Sequence, residues 1–83
     1  MIVMKVMEIR IPDVETAKQF CRLAGNCPFD IDVFYNRIVI DAKSILGVLS
    51  LDFNRVLNVR MYGENAEFEA FCGKLHELVA EVA

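Results

Sequence analysis

Apolar and polar side chains alternate at the start of the chain. Met7, Ile9 and Ile11 are separated by Glu8 and Arg10, the period-two pattern of a half-buried strand over residues 2–11. Pro12 ends it, because proline cannot continue a ladder. The period then changes. Val14, Ala17, Cys21 and Ala24 recur at spacings of three and four, joined by Phe20, which predicts an amphipathic helix capped by Asp13. Glu15 and Arg22 suit the two ends of its dipole. Gly25-Asn26 predicts a left-handed stop, and Pro28 prevents continuation. Alternation returns over 29–35, where Phe29, Ile31, Val33 and Tyr35 are interleaved with Asp30, Asp32 and Phe34. Asn36-Arg37 reads as a tight turn into a third strand over 38–42.

Ala42-Lys43-Ser44-Ile45-Leu46-Gly47-Val48-Leu49-Ser50-Leu51 is too apolar for an ordinary surface loop and too short for a core helix. Its periodicity does not exclude a buried strand. Ser44 at its head, Gly47 inside, and Asp52 and Asn54 behind favour a short helix over 45–52 with Ser44 as its cap. Leu57, Val59 and Met61 then face opposite to Asn58, Arg60 and Tyr62 in a fourth strand over 55–62. The last helix is expected over about 65–82, with Phe68, Phe71, Cys72, Leu75, Leu78, Val79 and Val82 as its apolar stripe and Glu64 and Glu67 at its N-terminus.

The order β-α-β-β-α-β-α predicts an α+β domain spanning residues 1–83, a four-stranded sheet with three helices on one face. The inner face would take Ile9, Ile31, Val33, Ile40, Leu57 and Val59. The outer face would hold Glu8, Arg10, Asp30, Asp32, Asp41 and Arg60 beside Phe34 and Val39, with charges of both signs placed for cross-strand pairing.

Composition narrows the function classes. At 83 residues the chain is small, and 55% of it is hydrophobic, which implies a dense core or exposed apolar patches. A net charge of −3 and the lack of a basic cluster argue against phosphate-backbone binding, so no nucleic-acid partner is expected. The apolar start, Met1–Met7, has no basic lead and is too short to span a membrane, so a cytoplasmic protein with no membrane partner is expected. Cys21, Cys27 and Cys72 form no C-x-x-C pair. Cys21 and Cys72 read as buried thiols, Cys27 lies in a turn, and no metal site is expected. His76 reads as a surface or boundary residue, without ligand spacing to any partner. No nucleophile–base pair and no glycine-rich phosphate loop occurs, so no enzyme and no cofactor is expected.

The run Ala42–Leu51 resembles the regulatory-serine segment of HPr, the small phosphocarrier of the bacterial sugar phosphotransferase system, in its low-GC Gram-positive form. Length and element order are also similar to that family. The resemblance implies an open-faced β-sandwich with an antiparallel sheet of order 1-4-2-3. It implies that Ser44 matches the serine phosphorylated by a metabolite-controlled kinase, and that Leu46 and Leu49 stand where the family carries outward methionines. It also exposes a departure. The family's loop Gly-Leu-His-Ala-Arg-Pro is replaced by Ile11-Pro12-Asp13-Val14-Glu15-Thr16, so Asp13 stands about where the phosphocarrier histidine would be. Without that imidazole, phosphocarrier activity is not expected.

The expected role is a non-catalytic regulatory, protein-binding domain. Ser44 is its phosphorylation candidate, as well as a plain helix cap. Ile45, Leu46, Val48 and Leu49 are its docking surface for a transcriptional regulator or an HPr kinase-like enzyme. The alternatives are burial of that run against Phe53 and the last helix, or a structural scaffold that uses it as a homodimer surface. Asp13 is either a mimic of a phosphorylated residue or an ordinary N-cap.

Overall fold

The computed structural model of the chain describes residues 2–79. The elements run β1 (Val3–Ile9), α1 (Val14–Gly25), β2 (Asp30–Tyr35), β3 (Ile38–Asp41), α2 (Ile45–Leu49), β4 (Leu57–Gly63) and α3 (Asn65–Leu78). The strands form one antiparallel sheet of order β1-β4-β2-β3. This is the predicted α+β topology. Helix α3 ends at Leu78, short of the expected 82: Val79 is extended, with φ −136° and ψ 156°, and its amide donates to the Leu75 carbonyl; Val82 lies outside the described residues.

Alternation decides which way each strand faces. Ile9, Ile31, Val33, Leu57, Val59 and Met61 are shut from solvent and pack with Ala17, Phe20 and Ala24 of α1 and Phe68, Phe71 and Leu75 of α3. Phe29 meets Phe68 and Phe71 edge-on, with ring centroids 5.2 and 6.0 Å apart, an arrangement favoured by the ring quadrupoles. Cys21 and Cys72 are buried, and Ile40 at the sheet edge is partly buried.

Local chemistry sets the boundaries. Asn36 adopts φ 53° in the β2–β3 turn, where asparagine tolerates the left-handed region. The expected left-handed stop of α1 does not form. Asn26 has φ −85°, and the amides of Asn26 and Cys27 donate to the Leu23 and Ala24 carbonyls at 3.3 and 3.1 Å. Those tight bonds satisfy the helix end with right-handed backbone, and Pro28 follows. Helix α2 ends at Leu49 rather than at 52. The Ser50 hydroxyl donates to the Gly47 carbonyl at 2.6 Å, Leu51 turns into the core, and the Asp52 amide donates to the Tyr35 hydroxyl at 3.1 Å. These side-chain bonds compete with a further helical turn.

Candidate functional site: the α2 surface

Helix α2 has its cap before it has its packing. Ser44 is extended, with φ −91° and ψ 112°, and its Oγ accepts from the Gly47 amide at 3.2 Å. The strand end positions Ser44 in turn: its amide donates to the Asp41 carbonyl at 3.0 Å, and the Lys43 amide donates to Asp41 Oδ1 at 2.9 Å. The Ser44 side chain is exposed, so its hydroxyl is open to solvent while it caps.

The short helix then divides its side chains. Val48 is 0% exposed and belongs to the core, which corrects its assignment to the docking surface. It sits on the side of α2 that faces α1 and β3, where Gly47 also approaches Ile40 closely. The other three apolar side chains stay outside. Leu46 is 81% exposed, Ile45 43% and Leu49 36%. Burial of the whole run against Phe53 and the last helix is therefore not what the fold does. A helix of under two turns has one inward stripe, and Val48 with Gly47 fills it.

Asp13 starts a different helix. Its Oδ1 accepts from the Thr16 amide at 2.8 Å, and that bond to the backbone holds its carboxyl below the ordinary value. The group is an N-cap, and no hydrogen bond joins it to Ser44 among the described residues. His76 is exposed on α3. Cys27 is half-buried, its thiol within reach of the Leu23 carbonyl at 3.5 Å. Burial pushes that thiol up in pKa, opposed by Lys43 and Lys74, so it is not an activated thiolate. Among the described residues no group of His, Cys, Asp or Glu is arranged to hold a metal ion, and no helix is long and apolar enough to cross a membrane.

A second surface was only partly visible in the sequence. On the helix-free face of the sheet, the Arg60 guanidinium lies 4.6 Å from the Phe34 ring centroid and 5.4 Å from that of Tyr62. Its Nη2 is 3.5 Å from Asp32 Oδ2. Arg10, expected on this face, lies beyond the end of β1, and its guanidinium donates to the Asn54 carbonyl at 3.4 Å. Met4 and Val6 are exposed there. Extending the alternation of Glu8 two and four residues back would have placed them.

Compared with known proteins, the chain matches no family model and no curated sequence.

Proposed function

We propose that the chain is a non-catalytic regulatory domain of HPr type, related to the bacterial phosphotransferase system and working in the cytoplasm. It docks a protein partner, a transcriptional regulator or an HPr kinase-like enzyme, through α2. One observation carries this reading. Leu46 stands almost wholly in solvent between Ile45 and Leu49, on a helix fixed from below by Val48. Clustered apolar side chains held out by a rigid base are what a partner's pocket recognises.

Ser44 is the switch. A phosphoryl group on its Oγ would bring about −1.5 to −2 charges to the edge of that apolar patch. Such a charge opposes docking into an apolar pocket and favours a basic one. Asp13 takes the place of the family's histidine and caps α1, so the domain receives a signal without relaying phosphate.

Incubation with an HPr kinase and ATP, read by intact mass, tests the switch. One added phosphate on wild type and none on Ser44→Ala is expected. No phosphate on wild type, or the same labelling on Ser44→Ala, removes it. A pull-down with wild type and Leu46→Asp tests the docking surface, and equal capture by both would end that part of the reading.

The same exposure of Leu46 favours a second reading, a homo-oligomeric scaffold joined through α2. Size exclusion with light scattering separates them. A monomer at high concentration excludes the scaffold, and a dimer dispersed by Leu46→Asp supports it.

A further inference from the structure

Among the described residues the sheet has one helix-covered face and one bare face, and the bare face is not an ordinary wet surface. Antiparallel sheets tolerate water on one side by presenting polar residues there. Here Met4, 59% exposed, and Val39, 56% exposed, stand with Val6 around the central pair Arg60 and Phe34. Tyr62 closes one end.

The charges on this face are unbalanced. The outward positions of the four strands carry Glu8, Asp30, Asp32 and Asp41 against the single cation Arg60, four negatives and one positive. Arg60 is already committed to Asp32. On the other side of Asp32, directly across the β2–β3 ladder, stands Asp41. Like charges in that position destabilise a sheet. Asp30, Asp32 and Asp41, with Tyr62 and the Ile31 backbone strand between them, line a shallow cavity of about 410 Å³. That is room for the head of a lysine or arginine.

We propose that this face binds a basic polypeptide segment. Its apolar side chains cover Met4, Val6 and Val39, and one of its cations enters the Asp30–Asp32–Asp41 cavity beside the Tyr62 ring. Charge selects this occupant over the others. A second copy docked face to face would set one acidic surface against another, and like-charge juxtaposition is strongly disfavoured at an interface. Nucleic acid and anionic membrane are repelled for the same reason. A cation arriving from outside relieves the Asp32–Asp41 contact, so it gains more here than at an isolated surface carboxylate.

Amide chemical-shift mapping of the full chain tests the proposal with three synthetic probes: an alternating lysine–valine peptide, its glutamate–valine counterpart, and a lysine–serine peptide of the same charge. The lysine–valine peptide should move the amides of Asp30, Asp32, Asp41 and Tyr62, with affinity falling as salt is raised. The glutamate peptide should move none of them. The lysine–serine peptide should bind more weakly, because nothing covers Met4 and Val39. Asp30→Asn combined with Asp41→Asn should weaken the lysine–valine peptide roughly tenfold, the effect of two lost surface ion pairs. It should also raise the unfolding temperature. Leu46→Asp should leave binding unchanged, which keeps this surface separate from α2. Equal binding of the glutamate peptide, equal binding of the lysine–serine peptide, shifts centred on α2, or no shifts at all would each overturn it. So would concentration-dependent shifts of the same amides without peptide, which would mark a second copy as the occupant.

Discussion

Replacing Gly47 by alanine probes how α2 is seated, and the expected sign runs against helix propensity. Alanine is favoured over glycine inside a helix by up to about 1 kcal/mol. At Gly47, however, an added Cβ would stand 2.5 Å from Ile40 Cγ2 and 3.3 Å from Ser44 Oγ. Non-bonded carbons prefer about 3.5–4.0 Å, so roughly 1 Å of space must be opened. Ile40 cannot supply it cheaply. Its Cγ2 is attached at the branch point, and a β-branched side chain is stiff about χ1. Overpacking of this kind costs about 1–3 kcal/mol. Set against the propensity gain, the net loss is about 1 kcal/mol. Gly73, inside α3, provides the control. An added Cβ there meets nothing within 4 Å, and the backbone is not left-handed. Gly73→Ala should therefore stabilise the fold by about 0.5–1 kcal/mol. The two variants should melt about 10 °C apart, on a scale of roughly 4–8 °C per kcal/mol for a domain of this size. Urea unfolding followed by circular dichroism should show shifted midpoints at a constant slope. Combining Gly47→Ala with Ile40→Ala should return part of the loss, giving a coupling of at least about 0.5 kcal/mol. If Gly47→Ala matches or exceeds wild type, or if the two losses simply add, the close seating of α2 on β3 is wrong.

Neighbouring residues of α2 should respond very differently to truncation. Val48→Ala should cost about 2 kcal/mol as a buried valine is lost, whereas Leu46→Ala should stay within about 0.5 kcal/mol; equal effects in urea unfolding would contradict the division of the helix into an inner and an outer side. Ser44→Ala should cost about 1 kcal/mol through the lost cap, and Ser44→Asn much less. The carboxyl of Asp13 is lowered in the folded state, so it contributes stability above its unfolded value, near 3.9. That contribution is lost as pH falls through the lower folded value. Asp13→Asn keeps the cap at every pH, so its acid unfolding curve should be flatter than wild type below about pH 4; parallel curves would show that the Thr16 bond does not bias the titration.

The elements that alternate or recur over long windows were legible in the sequence. Four strands, two long helices and the sheet's inner face follow from spacing alone, because burial on one side forces the period. What spacing could not reach were decisions made by single hydrogen bonds. The end of α1 rests on the Asn26 and Cys27 amides finding carbonyls without a left-handed residue. The early end of α2 rests on the Ser50 hydroxyl and Tyr35. Within α2, all four apolar residues look alike in sequence. The fold separates them, with Gly47 seated closely on Ile40, Val48 buried and Leu46 exposed. On the outer face, charges of both signs were legible but their pairing was not. Strand register decides that Asp32 faces Arg60 on one side and Asp41 on the other.

That register also fixes how the two proposed surfaces must be separated experimentally. They lie back to back at the β3–α2 passage. Ile40 faces inward beneath Gly47, and the next residue, Asp41, faces outward toward Asp32. Asp41 nevertheless touches both surfaces, since its Oδ1 accepts from the Lys43 amide and its carbonyl from the Ser44 amide. Removing its side chain altogether would disturb the residues leading to the Ser44 cap as well as the acidic cavity, and a loss of either function could then be blamed on the other. Asparagine keeps an acceptor oxygen for Lys43 and deletes only the charge. Asp41→Asn should therefore leave the α2 amide signals in place while it weakens a basic peptide on the outer face, and Leu46→Asp should do the reverse. If Asp41→Asn instead shifts Ser44 to Leu49 as strongly as it shifts Asp30 and Tyr62, the passage transmits between the faces and the surfaces are one coupled device rather than two.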